Sequence, residues 1–205
     1  MQVILIHGLY MHGITMQPLS HTLRKIGYDT HAISYNSLAI DDEKVFRHID
    51  KSIAHHAHNA LVGHSLGGLI IKRYLESRSP STEHVSHAVA IGSPLQGASV
   101  VNKIQQLGLG AVLGNAAEFG LKTHQDEWRH PQKLGSIAGT LAIGIRPLLL
   151  PDNTASDGTV TVEETKISGM TDHIALSTTH ASMLLKPAIA EQIDHFLRHD
   201  SFKHS

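Results

Sequence analysis

The chain has 205 residues, 41% hydrophobic and 17% charged, a balance typical of one globular domain with a sizeable core. Lysine and arginine number 17 against 18 aspartate and glutamate. With a net charge of −1, no basic excess points to nucleic acid, and no charge block suggests an anionic membrane surface. The absence of cysteine excludes disulfides, thiolate metal sites and cysteine nucleophiles.

The amino terminus gives no sign of export. Met1 leads directly into an apolar segment without a basic region or a cleavage site. No apolar run approaches the ~18 residues needed to span a bilayer. We therefore expect a cytoplasmic protein without a transmembrane segment.

Apolar runs and helical spacing alternate along the chain. In chain order, the sequence predicts a strand at Val3–His7, a helix at Pro18–Ile26, a strand at Tyr28–Tyr35, a helix at Asp41–His58, a strand at Asn59–His64, a helix at Leu66–Arg78, strands at His84–Pro94, Lys133–Thr140 and Asp172–Thr178, and a helix at Pro187–Arg198. This alternation predicts an α/β fold with a mainly parallel sheet of about six strands and helices on both faces.

One stretch departs from this alternation. Residues 95–131 are rich in glycine and weakly helical, yet too apolar for a disordered loop. We interpret them as a small helical cap of one or two short helices over the carboxyl edge of the sheet; an ordinary packed helix pair without a functional role is the alternative. No linker interrupts the chain, so a single domain is expected over residues 1–205.

The 18 histidines raise the question of a metal site. His55, His56 and His58 end a polar helical stretch, where adjacent residues do not share a face. His195 and His199 have i,i+4 spacing, but nothing near them completes a ligand set. We interpret both groups as solvated surface histidines and expect no metal.

The stretch Gly63-His64-Ser65-Leu66-Gly67 matches G-x-S-x-G between a predicted strand and a predicted helix. A nucleophile on such a sharp turn needs unusual backbone angles, and glycines two residues before and after it remove Cβ atoms that would collide. The turn raises the Ser65 hydroxyl above the sheet. The first helical N–H groups, starting with Leu66, then favour an oxyanion.

Taken together, five segments resemble the α/β-hydrolase fold, and within it the small lipase-like and esterase-like serine hydrolases. They occur in the family's order and are "LIHGLY" (5–10), "GHSLGG" (63–68), "GSPLQGA" (92–98), "SDGTV" (156–160) and "THASML" (179–184). The set is more specific than any single segment, and it spans nearly the whole chain. In this fold the catalytic residues follow the order serine, acid, histidine.

This order implies a general base late in the chain. His180 follows the last predicted strand directly, at the carboxyl end where Ser65 lies, whereas His173 opens that strand and His195 and His199 lie on the closing helix. His64 adjoins the serine on a turn that directs its side chain elsewhere. The expected base is therefore His180.

The expected acid is Asp157, because the Asp-Gly pair predicts a turn and similar lipases carry the acid in such a stretch. Asp152 is the alternative. The acid holds the imidazole in one tautomer and stabilises the imidazolium.

The resemblance also implies an oxyanion hole and a substrate entrance. The backbone N–H groups of Leu9 and Leu66 are expected to form the hole, with His7 orienting the first loop. Tyr10 and His12 are expected to line the entrance. "GSPLQGA" is expected to form the floor of the site, without a catalytic role. "RPLLLP" (146–151) is expected to give apolar walls, unless these leucines belong to the core.

The sequence thus predicts a serine hydrolase that cleaves a small-molecule or lipid-like carboxylic ester through an acyl-enzyme on Ser65, without a cofactor. The same triad serves amidases, peptidases, thioesterases and acyltransferases, which stay open as alternatives. Two further alternatives are a non-catalytic binding protein on this fold and a metal-dependent hydrolase that uses the histidines.

Overall fold

The computed structural model describes residues 1–54, 57–121, 126–150 and 152–204. In these ranges six strands form one all-parallel sheet in the order β2-β1-β3-β4-β5-β6. The strands are β1 (Gln2–Ile6), β2 (Asp29–Ile33), β3 (Asn59–His64), β4 (Val85–Ile91), β5 (Lys133–Gly139) and β6 (Asp172–Leu176). The predicted fold class, with its mainly parallel sheet of about six strands, is confirmed.

Helices cover both faces of the sheet. They are α1 (Gln17–Ile26), α2 (Asp42–Ser52), α3 (Leu66–Arg78), α4 (Ser99–Gln106), the short α5 (Arg146–Leu149) and α6 (Pro187–His199). Alternate side chains of β1 divide between two cores: Ile4 packs with residues of α2 and α3, and Leu5 with residues of α1 and α6. This division follows from the two-residue period of a strand, and burial of both faces is what a parallel sheet requires. None of the described helices is long and apolar enough to cross a membrane.

Helix α2 is shorter than the sequence predicts. It ends at Ser52, because Ile53 takes an extended conformation and the Asn59 side chain bonds to the carbonyl groups of Ala54 and Ala57. Such side-chain bonds compete with helix continuation. His58 is therefore exposed outside the helix, and His55 and His56 lie outside the described residues.

The predicted cap segment contains α4 and a 3₁₀ helix at Gly110–Phe119. Asn115 holds this segment against the loop after β2, since its side chain accepts from the Ile40 N–H and donates to the Ile40 carbonyl. The Tyr10 hydroxyl also donates to the Val112 carbonyl. The segment thus packs beside the first two loops of the carboxyl edge; residues 122–125 lie outside the described part of the chain.

The strand order creates a crevice at this edge. The chain runs from β1 outward to β2 and then returns to place β3 on the other side of β1. Connections that leave adjacent strands in opposite directions open a crevice at the carboxyl ends, where ligands of α/β proteins bind. The residues that follow β1 and β3 border this crevice, and they include Leu9 and Ser65.

Candidate active site

Ser65 occupies a strained turn between β3 and α3. Its backbone angles, φ 54° and ψ −122°, lie outside the usual regions for a residue with a side chain. Its N–H donates to the Ile91 carbonyl at 2.9 Å, which ties the turn to β4. A Cβ at Gly63 would collide with the backbone of Gly67, and one at Gly67 with the Ile6 carbonyl. Only glycine fits at either position, which explains the spacing of the motif.

Asp157 and His180 form a hydrogen-bonded pair at the same edge. His180 Nδ1 lies 2.6 Å from Asp157 Oδ2, and the His180 N–H donates to the Asp157 carbonyl at 2.9 Å. The carboxylate is fully buried, and its other oxygen accepts the N–H groups of Thr159 and Val160. Since Nδ1 donates to the carboxylate, Nε2 of His180 carries the lone pair that a general base needs.

The floor beneath this pair is the "GSP" turn after β4. Gly92 has φ 55°, and a Cβ there would lie 3.0 Å from Asp157 Oδ2 and 3.2 Å from His180 Nδ1. On the side of the nucleophile, the ring centroid of His64 lies 4.7 Å from that of His180. The structure therefore brings Asp157 and His180 together next to His64, the residue that precedes Ser65.

No hydrogen bond joins Ser65 to His180. The Ser65 hydroxyl makes no hydrogen bond with His180 or with any other described residue. Catalytic hydrogen bonds are often long before substrate binds and tighten in the complex.

The other candidates for base and acid have different partners. Asp152 pairs with Arg146 at 2.8 Å and is half exposed. His173 Nε2 lies 3.0 Å from the Thr165 hydroxyl, and His195 Nδ1 bonds to the Ser201 carbonyl. Among the described residues, no three histidine, aspartate or glutamate side chains group closely enough to hold a metal ion.

The loop after β1 approaches Ser65 closely. A Cβ on Gly8 would lie 2.9 Å from Ser65 Cβ. Neither the Leu9 N–H nor the Leu66 N–H donates to another described residue, so both are available to an oxyanion. His7 holds the loop, because its Nδ1 bonds to the Gly8 carbonyl and its Nε2 accepts the Tyr35 N–H.

Tyr10 and His12 lie apart from Ser65 and His180. They line an open cleft of about 820 Å³ together with the loop after β2 and the start of α2, and neither Ser65 nor His180 lines it. Sequence reasoning missed how the entrance is held: Ser37 Oγ accepts the Tyr10 N–H, and Ser34 Oγ accepts the Gly13 N–H. The only sequence signal for these contacts is the polar "SYNS" loop.

Exposed apolar side chains concentrate around this edge. Apart from Met1, the large hydrophobic residues exposed in the described ranges all lie in the connections β1–α1, β2–α2, β4–β5, β5–β6 and β6–α6: Tyr10, Ile14, Leu38, Leu107, Leu109, Val112, Leu141, Ile143, Ile145, Leu148 and Leu185. In the "RPLLLP" segment Leu148 is 82% exposed, whereas Leu149 is partly buried and packs against the core; Pro151 lies outside the described residues. Exposed apolar side chains therefore occur in the connections that follow β1, β2, β4, β5 and β6.

His64 makes the stability of the fold depend on pH. Burial, and next the charge of His180, lower its pKa from 6.5 to about 3, with smaller effects of Asp157 and His7. Between pH 6.5 and pH 3 His64 is therefore protonated in the unfolded chain but not in the folded chain. The free energy of unfolding is at its full value above pH 6.5 and decreases as the pH falls towards 3. The loss is about 1.4 kcal/mol per pH unit, or about 3 kcal/mol at pH 4.5.

Urea unfolding at pH 7 and pH 4.5 checks this prediction. His64→Gln should lose about 3 kcal/mol less than the wild type between the two pH values, because glutamine does not titrate. His21→Gln, which changes an exposed histidine on α1, is the matched control and should behave as the wild type. Equal losses for the wild type and His64→Gln would contradict the assignment.

Comparison with known proteins places this geometry in a family. A model of the PGAP1-like alpha/beta domain matches residues 30–199. No curated protein matches the chain. Similar solved structures include a Bacillus licheniformis lipase in mature form, with 18% identity, 96% of this chain and 90% of that chain covered, and a TM-score of 0.69.

Two further structures share the fold. A metagenomic carboxyl esterase has 15% identity, with 98% of this chain and 76% of that chain covered and a TM-score of 0.72. A pyrethroid hydrolase has 16% identity, with 97% and 98% covered and a TM-score of 0.63. At such identities the likeness is one of fold, and it confirms the resemblance to α/β-hydrolases. Because the family model spans most of its length, the chain belongs to the PGAP1-like alpha/beta domain family.

Proposed function

We propose that this protein is a serine hydrolase that cleaves carboxylic esters through an acyl-enzyme on Ser65. The observation that carries the proposal is the 2.6 Å bond between His180 and the buried Asp157, next to a serine on a strained strand-to-helix turn. A buried carboxylate that sets the tautomer of a histidine is what activation of a hydroxyl requires.

In the first half of the reaction, Ser65 Oγ attacks the ester carbonyl carbon while His180 Nε2 takes the hydroxyl proton. The N–H groups of Leu9 and Leu66 stabilise the negative oxygen of the tetrahedral intermediate. When the C–O bond to the alcohol breaks, His180 returns its proton to the leaving oxygen.

In the second half, His180 takes a proton from water, and the hydroxide attacks the acyl carbon. Collapse of this second intermediate releases the acid, and the proton returns to Ser65. Asp157 stabilises the imidazolium in both halves without accepting the proton. These steps need no metal or organic cofactor.

The proposed substrate is a small-molecule or lipid-like ester with a short or medium acyl chain. The exposed apolar side chains in the connections that follow the strands support this class, since burial against apolar groups lowers the free energy of a hydrocarbon chain by about 0.8 kcal/mol per methylene. The similar structures of a lipase and a carboxyl esterase also support an ester over an amide. A cytoplasmic location stays a prediction.

Hydrolysis of p-nitrophenyl esters of graded chain length tests the function. We expect turnover with a maximum at short or medium chains, because apolar contacts of limited extent stop gaining from further methylenes. We also expect a fluorophosphonate probe to modify Ser65, as measured by peptide mass spectrometry. A flat profile would count against an acyl pocket. Labelling without ester turnover would favour an amidase, thioesterase or acyltransferase, and absence of labelling would favour a binding protein.

A further inference from the structure

His64 is a buried histidine that the reaction above does not use. It ends β3 immediately before Ser65, and only 1% of its surface is exposed. Substrate therefore does not reach it. Its ring nevertheless contacts the ring of His180, with centroids 4.7 Å apart and planes at 45°.

The hydrogen bonds of His64 are asymmetric. Its Nε2 lies 2.9 Å from the main-chain carbonyl oxygen of His180. A carbonyl only accepts, so Nε2 carries the proton and Nδ1 bears a lone pair. That Nδ1 is buried without a partner among the described residues. An apolar side chain would avoid this unfavourable burial, so the bond from Nε2 is the feature that accounts for a histidine here.

This bond completes a set of contacts that hold His180 from two sides. The loop after β5 holds it through Asp157, which bonds to its Nδ1 and accepts its main-chain N–H. The strand that carries the nucleophile holds it through His64, which donates to its carbonyl. Without His64, no described hydrogen bond links the loop of the base to the nucleophile turn.

His64 also stays uncharged while His180 cycles. Burial, and next the charge of His180, lower the pKa of His64 to about 3, although the hydrogen bond to the His180 carbonyl and the charge of Asp157 act in the opposite direction. Because the His64 ring is neutral, it does not repel the imidazolium of His180, although the two ring centroids are only 4.7 Å apart.

We propose that His64 is a positioning residue, whose Nε2–H bond to the His180 carbonyl holds the base in register with Ser65 and thereby raises kcat. The inference rests on the proposed serine hydrolase activity. Loss of this bond should lower kcat and leave KM unchanged, because the buried His64 side chain does not contact substrate.

Two amide variants form a matched test. In His64→Gln the side-chain nitrogen is three bonds from Cβ, as Nε2 of histidine is, whereas in His64→Asn it is only two bonds away. On a p-nitrophenyl ester we expect His64→Asn to lower kcat about tenfold with KM within about twofold, and His64→Gln to keep kcat within about threefold. Thermal midpoints of both variants show whether they fold.

Equal kcat for the two variants, or a change confined to KM, overturns the positioning role. Long-range ¹H–¹⁵N correlation NMR of the wild type, with His64 assigned by its absence from the His64→Gln spectrum, adds a measurement without turnover. We expect the neutral Nε2–H tautomer; an Nδ1–H tautomer overturns the proposal even if neither variant folds well enough to assay. Absence of ester turnover in the wild type overturns the proposed function, and the role of His64 with it.

Discussion

Replacing Ser65 by alanine should abolish ester hydrolysis and fluorophosphonate labelling while the fold persists. Alanine keeps the Cβ that the turn already accommodates at φ 54° and removes only the hydroxyl, which makes no hydrogen bond with a described residue. The rate should fall at least about 10⁴-fold, because no acyl-enzyme forms. Initial rates on the preferred p-nitrophenyl ester, with circular dichroism as the check on folding, measure this.

Two controls separate this result from a general loss of activity. Ser177→Ala removes an exposed hydroxyl between β6 and His180 and should keep the wild-type rate. The double variant Ser65→Ala with His180→Ala should be no slower than either single variant, since residues that act as one unit are not additive. Ester turnover that survives in Ser65→Ala and is lost on chelation would support a metal-dependent hydrolase instead.

The sequence predicted best those elements whose pattern is local. The predicted bounds of β3 and α3 agree with the structure, because a fully buried apolar run meets glycines that only a sharp turn accommodates. Helix α2 was predicted too long because Val45, Ile49 and Ile53 keep helical spacing past its end. The Asn59 side chain that captures the carbonyls of the following loop leaves no periodic signal.

The features that could not be predicted from the sequence are contacts between distant parts of the chain. The sequence suggests His64 only as a possible base, since its bond to a backbone atom 116 residues away has no sequence signature. The hydrogen bond between the Tyr10 N–H and Ser37 Oγ also has no sequence signature, because the two groups come together only when β1 and β2 pair. Sequence patterns identify chemical groups, and packing decides which group each one meets.

Asp157→Asn tests the acid, and we expect kcat to fall about 10⁴-fold at pH 7. The amide oxygen of the variant still accepts the N–H groups of Thr159 and Val160, which leaves its NH₂ group facing His180 Nδ1. A donor at that position requires Nδ1 to accept, so Nε2 carries the proton. In this tautomer His180 has no lone pair for the Ser65 proton.

Asp152→Asn is the matched control, because Asp152 was the other acid suggested by the sequence and pairs with Arg146 rather than with His180. We expect it to keep kcat within about threefold. The loss in Asp157→Asn should appear in kcat with KM little changed, because the tautomer affects proton transfer and not binding. If Asp152→Asn shows the large loss and Asp157→Asn does not, the acid has been assigned to the wrong loop position, and the 2.6 Å bond to His180 would then serve only to hold the histidine loop in place.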